Sequence, residues 1–500
     1  MSLPPPATVY LVGAGPGDPA LLTLRGRQVL EQAGAVLYDH LAPEALLAFA
    51  PATAERLYVG KKRSAHEFSQ DEICAMLIER ARRGVTVVRL KGGDPYLFGR
   101  GGEEAEALAS AGIPFEVVPG VTTPLGLAAY TGVPLTHRQH TSAVTFVTGH
   151  AVDQIDWAKI GHAETLVIFM GLTTFAAIAE ALIAGGRSPE TPAMAVRWAT
   201  RPDQEAVVGT LATLPARIAE ARMRPPATIV VGEVVHLRRK LDWYGRLPLR
   251  GRRIVVTRAR GQADPLAGRL TALGAQAIEL PTIEIAPALD YGPLDRAIFQ
   301  LASYDWLIFT SANGVRCFID RLDASPTDLR QLGARICAIG PATAAAIETL
   351  HLKVDLMGKE YVAEGLLEAF AAYSLEGARI LLPRAAVARD LVPVELAKRG
   401  AKVDVVEAYR TIIPEDAAQR VAALGKVDAI TFTSSSTVRN FVAAAGARGL
   451  AGSKAISIGP VTTATAHELG LEVAAQARTY TIDGLVEALL EVFAPPATGG

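Results

Sequence analysis

Short β-branched runs alternate with helical patterns along the whole chain. Thr8-Val9-Tyr10-Leu11-Val12 is followed by helix-period spacing over 21–33, then Val36-Leu37-Tyr38, then Val85-Thr86-Val87-Val88, then a further helical pattern over 103–111. This βαβ rhythm restricts the chain to an α/β architecture, with helices packed on largely parallel sheets. It also says where chemistry belongs, because loops leaving the C-terminal ends of such strands gather on one edge and bind ligands there. The composition agrees: 50% of the residues are hydrophobic but only 6% aromatic, so the apolar content is Ala, Val, Leu and Ile. A chain of 500 residues exceeds what one hydrophobic core serves, and about three to five compact units are expected.

Several function classes are disfavoured. Lys and Arg total 50 against 51 Asp and Glu, a net charge of -1, so there is no global attraction for nucleic acid or an anionic membrane. Cys74, Cys317 and Cys337 are odd in number and lack metal-ligand spacing, which argues against a disulfide scaffold or a structural zinc and for a reducing, cytoplasmic setting. The long uncharged stretch from Val117 to His137 is interrupted by Pro119, Pro124 and Pro134, so no membrane span is expected there. The opening MSLPPPATVY lacks the basic and apolar regions of a secretory signal.

Two breaks organise the chain. One lies near Pro134-Leu135-Thr136-His137-Arg138, before the strand pattern restarts at Ala143-Val144-Thr145. The other, Leu237-Arg238-Arg239-Lys240 through Tyr244-Gly245-Arg246-Leu247-Pro248, precedes a fresh strand at Arg253-Ile254-Val255-Val256. The second half then repeats itself. Phe309-Thr310-Ser311 and Ile339-Gly340-Pro341-Ala342-Thr343 are echoed by Phe432-Thr433-Ser434 and Ile458-Gly459-Pro460-Val461-Thr462, at offsets of 123 and 119 residues. Two copies of one α/β unit flanking a cleft are expected.

In the first half, Gly13-Ala14-Gly15-Pro16-Gly17-Asp18 follows a strand and leads into a helix. Glycines there let a ligand approach the backbone. Asp18 stands where a dinucleotide fingerprint wants Gly or Ala, and Pro16 removes an amide donor, so NAD and ATP are disfavoured. Leu90-Lys91-Gly92-Gly93-Asp94-Pro95-Tyr96-Leu97-Phe98-Gly99-Arg100-Gly101-Gly102-Glu103-Glu104, Pro119-Gly120-Val121-Thr122-Thr123 and Met170-Gly171-Leu172 occupy later strand ends. GAGPGD alone also fits a plain tight turn.

Together with VLYD, VGK, VPGVTTPLGLAAYTGVPLTHR, VTGH and PATIVVGEVV, these segments resemble the uroporphyrinogen-III C-methyltransferase family of tetrapyrrole methylases over residues 8 to about 245. The resemblance implies two α/β lobes, about 8–136 and 141–245 within a domain 1–245. It implies S-adenosylmethionine as methyl donor in the cleft between them, and a homodimer through this half. Cofactor contacts carry over to Pro16, Gly92, Gly93, Asp94, Leu97, Thr122, Thr123 and Met170, and also to Ala199 and Ala227. Asp39 matches a proton acceptor and Lys61 a proton donor; a helix cap and a solvated Lys-Lys-Arg face are the plainer readings of these two. A substrate with eight carboxylates calls for cations, for which Lys61, Lys62, Arg63, Arg100 and Arg138 are candidates.

The paired repeat from Gly251 to about Ala494 resembles uroporphyrinogen-III synthase, through VTR, FTSANGV, IGPAT, VVEAYRT, FTSSSTV, IGPVTTATA and GLVEAL in order. The resemblance implies a domain 246–500 of two lobes, about 251–281 plus 410–495 and about 285–406, joined by paired crossover segments near Leu280–Ile285 and Val405–Thr411. Tyr409 matches a proton donor. Ser311, Asn313, Thr343, Ser434, Ser435 and Thr462 sit where they would hold substrate carboxylates or merely cap helices. Arg258, Arg384 and Arg410 are possible ion partners.

The expectation is a bifunctional enzyme. The second half cyclises hydroxymethylbilane to uroporphyrinogen III with ring inversion, and the first half methylates that product twice to precorrin-2. No metal, nucleic acid or membrane is expected. The alternative is a first half acting on another precorrin beside a non-catalytic tetrapyrrole-binding module.

Overall fold

In each half, strands feed helices that return to the sheet edge from which the next strand begins. The computed structural model describes residues 7–60, 68–150, 152–257, 264–358, 363–388, 390–414, 416–445 and 452–494. They divide into two compact units. The first comprises the chain to Arg252 with Thr271–Gln276, and the second Arg253–Leu270 with the chain from Ala277 onward.

The first unit holds two sheets. Strands β1 (Val9–Gly13), β2 (Ala35–Tyr38), β3 (Glu55–Tyr58), β4 (Val87–Lys91) and β5 (Phe115–Val118) lie in the order β3-β2-β4-β1-β5, parallel throughout. Strands β6 (Val144–Thr148), β7 (Thr165–Phe169), β8 (Pro192–Arg197), β9 (Glu205–Thr210) and β10 (Ala227–Val231) form the other sheet, in the order β6-β7-β10-β8-β9. Here only β6 and β7 run parallel, and β10 lies antiparallel between β7 and β8. Apolar runs such as Thr165–Phe169 do not disclose direction, because a strand covered on both faces reads the same either way.

Central strand β4, Val-Val-Arg-Leu-Lys, is buried at all five positions. Alternation places Val87, Arg89 and Lys91 on one face. Val87 joins the core formed with Ala105 and Leu108 of the helix Gly101–Ser110. That helix buries Gly101, Glu104, Ala105 and Leu108, a stripe at helical spacing that carries one acid into the interior.

The second unit also holds two sheets. Strands β11 (Arg253–Val256) and β12 (Gln276–Glu279) join one sheet. Strands β13 (Glu284–Pro287), β14 (Trp306–Phe309), β15 (Arg335–Ala338), β16 (Leu356–Met357), β17 (Arg379–Ala385) and β18 (Lys402–Ile412) form the other. The chain then returns to the first sheet with β19 (Ala429–Phe432), β20 (Lys454–Ser457) and β21 (Val473–Gln476). The orders are β12-β11-β19-β20-β21 and β13-β18-β17-β14-β15-β16. Thus β11-β19-β20-β21 repeats the arrangement β17-β14-β15-β16, as the internal sequence repeat requires. The two passages between sheets pair as an antiparallel ribbon, with Glu284 opposite Ile412 and Pro287 opposite Tyr409.

Among the described residues no helix is long and apolar enough to cross a membrane. Among the same residues no group of three or more His, Cys, Asp or Glu is placed to hold a metal ion. Cys74 and Cys337 are buried and Cys317 is half-buried, and burial pushes all three thiols up.

Candidate active site

Three glycine-bearing loops of the first unit meet backbone to backbone at the C-terminal ends of β1, β4 and β5. The Gly15 and Gly93 amides donate to each other's carbonyls at 3.2 and 2.7 Å, and the Ala14 amide donates to Lys91 O at 2.7 Å. A Cβ added at Gly120 would fall 2.2 Å from Gly93 O and 2.7 Å from Gly13 Cα, closer than any side chain permits. Asp94 ties the loops together, accepting the Gly120 amide at 3.0 Å and the Tyr96 amide at 2.9 Å.

The loop after β1 also reaches the other sheet. Asp18 accepts Tyr130 Oη at 2.7 Å and caps the turn Pro19–Leu21, while its own amide donates to Thr200 Oγ1 at 2.8 Å. Burial, reinforced by that bond to Asp18, holds the Tyr130 phenol above its usual range. The Asp18 carboxylate therefore fixes the loop after β1 against Tyr130, and it is the Asp18 backbone amide that reaches across to Thr200.

A cavity of about 300 Å³ opens beside these loops, at the lower end of the range for ligand sites. Pro16, Gly92, Gly93, Thr123, Met170, Ala199 and Ala227 all line it. Asp94, Leu97 and Thr122 are not among its lining residues. Phe98 and Phe169, from the two sides of the cleft, meet with ring centroids 4.7 Å apart and planes tilted by 49°. Backbone strain concentrates here: Phe98, Arg100, Met170, Trp198 and Thr200 have φ between 50° and 71°, a region costly for residues with side chains and typical of ligand sites.

A second cavity, about 590 Å³, is lined by Gly17, Tyr38, Asp39, His40, Glu44, Tyr58 and Arg201 among others. Trp198 lines both cavities. Its ring stands edge-on to His40 at 5.0 Å and lies 4.1 Å from the Arg201 guanidinium carbon. Asp39 Oδ1 accepts the Leu41 amide at 3.0 Å and Oδ2 accepts Arg89 Nη2 at 2.8 Å. Arg100 and Arg138 are exposed and line neither cavity; Arg100 pairs with Glu103 at 2.6 Å. Lys61, Lys62 and Arg63 lie outside the described residues, as does Arg258.

In the second unit the two Phe-Thr-Ser segments end β14 and β19, and each Ser begins a helix. Ser311 Oγ accepts the Gly314 amide at 2.9 Å and shares a 2.9 Å hydrogen bond with Tyr409 Oη. Ser434 Oγ accepts the Thr437 amide at 3.3 Å. Thr465 Oγ1 donates to Ser435 Oγ at 2.9 Å, linking neighbouring helices. Thr343 and Thr462 are buried, and Asn313 Oδ1 accepts Arg316 Nη2 at 3.2 Å. Burial pushes the Tyr409 phenol up, partly offset by Ser311. Arg384 pairs with Asp390, and Arg410 Nε donates to Pro287 O at 3.0 Å across the ribbon.

Residues 8–215 match the Tetrapyrrole (Corrin/Porphyrin) Methylases and residues 264–487 match Uroporphyrinogen-III synthase HemD. Porphyrin biosynthesis protein HemD of Ruminiclostridium josui is 36% identical over 493 residues, 97% of this chain and 98% of that protein. The chain belongs to this family. It carries a tetrapyrrole methylase domain followed by a uroporphyrinogen-III synthase domain. The siroheme synthase of Chromobacterium violaceum is 52% identical over 242 residues, covering 48% of this chain and 52% of that protein, so the chain spans about half the length of that relative. Among solved structures, uroporphyrin-III C-methyl transferase of Thermus thermophilus, complexed with S-adenyl homocysteine, is 43% identical over 46% of this chain and all of that one, with a TM-score of 0.41.

Sequence reasoning passed over four residues of the methylase domain. Trp198 was legible in principle, as one of four tryptophans, standing directly after a strand. Arg201 follows it on the same turn. Arg89 and Glu104 were hidden in plain sight, since a charged residue inside the Val-Val-Arg-Leu-Lys run needs a buried partner. The partner is 15 residues away, on a helix that the local pattern treats as an exposed acidic start.

Proposed function

We propose that the synthase domain closes hydroxymethylbilane to uroporphyrinogen III and that the methylase domain methylates this product twice, with S-adenosylmethionine, to precorrin-2. The observation that carries the methylation reading is the wall shared by two cavities, one cradled by glycines and the other lined by Asp39, which adjoin at Trp198.

The first cavity fits a methyl donor. A Cβ at Gly92 would fall 2.5 Å from Leu41 Cβ, so only glycine lets these two segments meet as one wall of the cavity. Pro16, Gly92, Gly93, Thr123, Met170, Ala199 and Ala227 would hold it. Asp94, Leu97 and Thr122 would support the same loops. When bound, S-adenosylmethionine supplies an activated methyl electrophile. The protein's task is to align an electron-rich pyrrole carbon and to compensate the positive charge that develops on the macrocycle. The Asp39 carboxylate, held by Arg89 and the Leu41 amide, is the proton acceptor in this reading. Lys61 is its proton-donating counterpart. Arg100 and Arg138 are carboxylate partners for the substrate, with Arg201 as a further cation lining the Asp39 cavity.

For cyclisation, loss of water from a pyrrolic methylene is intrinsically easy, so the synthase domain must bend the chain and prevent uncatalysed closure. Tyr409 is the donor to the leaving hydroxyl. Its phenol is protonated at neutral pH, as a general acid must be, and burial pushes its ionisation further up. Ser311, Asn313, Thr343, Ser434, Ser435 and Thr462 face substrate carboxylates in this reading. A homodimer through the methylase domain and a cytoplasmic setting belong to the same proposal.

The test is to give the purified protein hydroxymethylbilane with and without S-adenosylmethionine and analyse the tetrapyrroles. Type-III macrocycle without the donor and dimethylated product with it are expected. Type-I product alone sinks the synthase reading, and unmethylated type-III product in both tubes sinks the methylation reading. Asp39→Asn is expected to lose methylation and keep cyclisation.

A further inference from the structure

Behind Asp39 lies a network of charged groups that the reaction does not explain. Arg89 and Lys91 are each only 4% exposed, and Glu104 is fully buried. Glu104 Oε1 accepts Lys91 Nζ at 2.8 Å, Gln70 Nε2 at 3.0 Å and Arg89 Nε at 3.2 Å, while Oε2 has no partner among the described residues. The Arg89 guanidinium is held on its other side by Asp39 Oδ2 at 2.8 Å and by Leu90 O at 3.0 Å. Its plane is thus fixed by acceptors on three different elements.

We propose that Arg89, Glu104 and Lys91 are positioning residues for Asp39, a buried charged network that sets the orientation and ionisation of its carboxylate. The proposal rests on the reading of Asp39 as proton acceptor and names what makes that acceptor competent.

The first argument is cost. Taking the Arg89, Lys91 and Glu104 charges out of water is expensive, and replacing a buried ionic network with well-packed apolar residues is often neutral or stabilising. Stability alone is a weak reason for Arg and Lys in the fully buried strand β4. The orphaned Glu104 Oε2 points the same way, because a network built for stability would satisfy both oxygens. The second argument is geometry. Each Asp39 oxygen receives a donor, Leu41 N–H on Oδ1 and Arg89 on Oδ2, yet the side chain remains 23% exposed in the wall of the larger cavity. Only a rigid guanidinium fixes the carboxylate in this way, and Arg89 is rigid because Glu104 holds its Nε. The third is charge balance. Two cations and two anions, Asp39 included, sum to zero, so removing the Glu104 charge leaves the whole set net positive and removing Arg89 leaves it net negative.

Other groups facing Asp39 set the background. Tyr58 on β3, Glu44 in the turn Glu44–Phe49 and Arg201 line the same cavity, with Tyr38 and His40 adjacent in sequence. Burial, then the Asp39 charge, raises the Tyr58 phenol. Burial, then Arg89, holds the Lys91 ammonium below its usual value despite Glu104.

The experiment uses the full chain and four variants: Glu104→Gln, Arg89→Gln, Arg89→Lys and Asp39→Asn. Methylation kcat, KM and the pH profile of kcat are measured, with thermal unfolding and S-adenosylhomocysteine affinity as fold controls. Glu104→Gln and Arg89→Gln are expected to lower kcat about tenfold or more with KM changed less than about twofold. The acid limb of the kcat profile is expected to move down by about one pH unit in Glu104→Gln and up by about one in Arg89→Gln, because opposite charge changes act on one carboxylate. Arg89→Lys, which keeps the charge and loses the fork, is expected to restore the limb but not the full kcat. A purely structural network would move unfolding and leave the limb in place. Wild-type kcat and pH profile in folded Glu104→Gln overturns the proposal. If Glu104→Gln does not fold, an unmoved acid limb in Arg89→Gln overturns it alone. Wild-type methylation by Asp39→Asn removes the proton-acceptor reading itself. An inactive Asp39→Asn beside normal Glu104 and Arg89 variants leaves that reading standing and removes only the network.

Discussion

The three-loop contact in the methylase domain makes Gly120→Ala a severe change for a single methyl. The added Cβ would lie 2.2 Å from Gly93 O and 2.7 Å from Gly13 Cα, both backbone atoms that no rotamer can move aside. Restoring an ordinary contact of about 3.4 Å requires the loops to part by about 1.2 Å. The 3.0 Å bond from the Gly120 amide to the Asp94 carboxylate would then stretch beyond hydrogen-bond reach. Overpacking costs about 1–3 kcal/mol and each lost hydrogen bond about 1 kcal/mol, so roughly 2–4 kcal/mol of stability is at stake. A reacting group displaced by about 1 Å also loses rate by about a hundredfold. Gly102→Ala, in the first turn of the helix Gly101–Ser110 with nothing within 4 Å of the added Cβ, is the matched comparison and is expected to gain about 0.5–1 kcal/mol. Calorimetric unfolding of both full-length variants, with titration of S-adenosylhomocysteine, reads both effects. Gly120→Ala with unchanged unfolding and unchanged donor affinity would show that the close approach of these loops does not build the site.

Trp198→Ala removes the wall common to both cavities together with its contacts to His40 and Arg201; methylation kcat/KM is expected to fall at least about tenfold while cyclisation is unchanged, and equal loss of both activities contradicts this. Tyr130→Phe deletes the donor to Asp18 and is expected to cost about 1.5 kcal/mol, the worth of a hydrogen bond to a charged acceptor, read as a lower denaturant midpoint for the methylase domain. Burial raises the Tyr130, Tyr304 and Tyr409 phenols. In the unfolded chain these ionise near pH 10, so above that pH the unfolded state binds fewer protons and stability falls as pH rises, with no such loss below it. Tyrosinate absorbance is expected to show a late step coincident with unfolding, and stability independent of pH from about 9 to 12 would count against the assignment.

The local signals carried far because they are backbone signals. Glycines at 13, 15, 92, 93 and 120 announce a close approach of chains, and seven of the ten residues expected to contact the donor line one cavity. Legibility failed where a side chain's meaning depends on a distant partner. Asp94 reads as a ligand contact beside Gly93, and nothing local reveals that its carboxylate spans 26 residues to the Gly120 amide. Ser311 and Ser434 do cap helices, as the plainer reading held, but nothing near Ser311 in sequence reveals the Tyr409 hydroxyl 98 residues later.

By itself, then, the sequence determined the α/β class, the succession of a methylase and a synthase half, the repeat within the second and the glycine-bearing loops at the strand ends. All of these follow from short-range periodicity and turn chemistry, which need only neighbouring residues. Tertiary structure alone decided that β10 runs antiparallel between β7 and β8, that Trp198 walls two cavities, and that Arg89 and Lys91 meet Glu104 behind Asp39. Strand direction and charge pairing are settled by which surfaces must be buried together, and a buried charge is placed by its partner rather than by its own position in the chain.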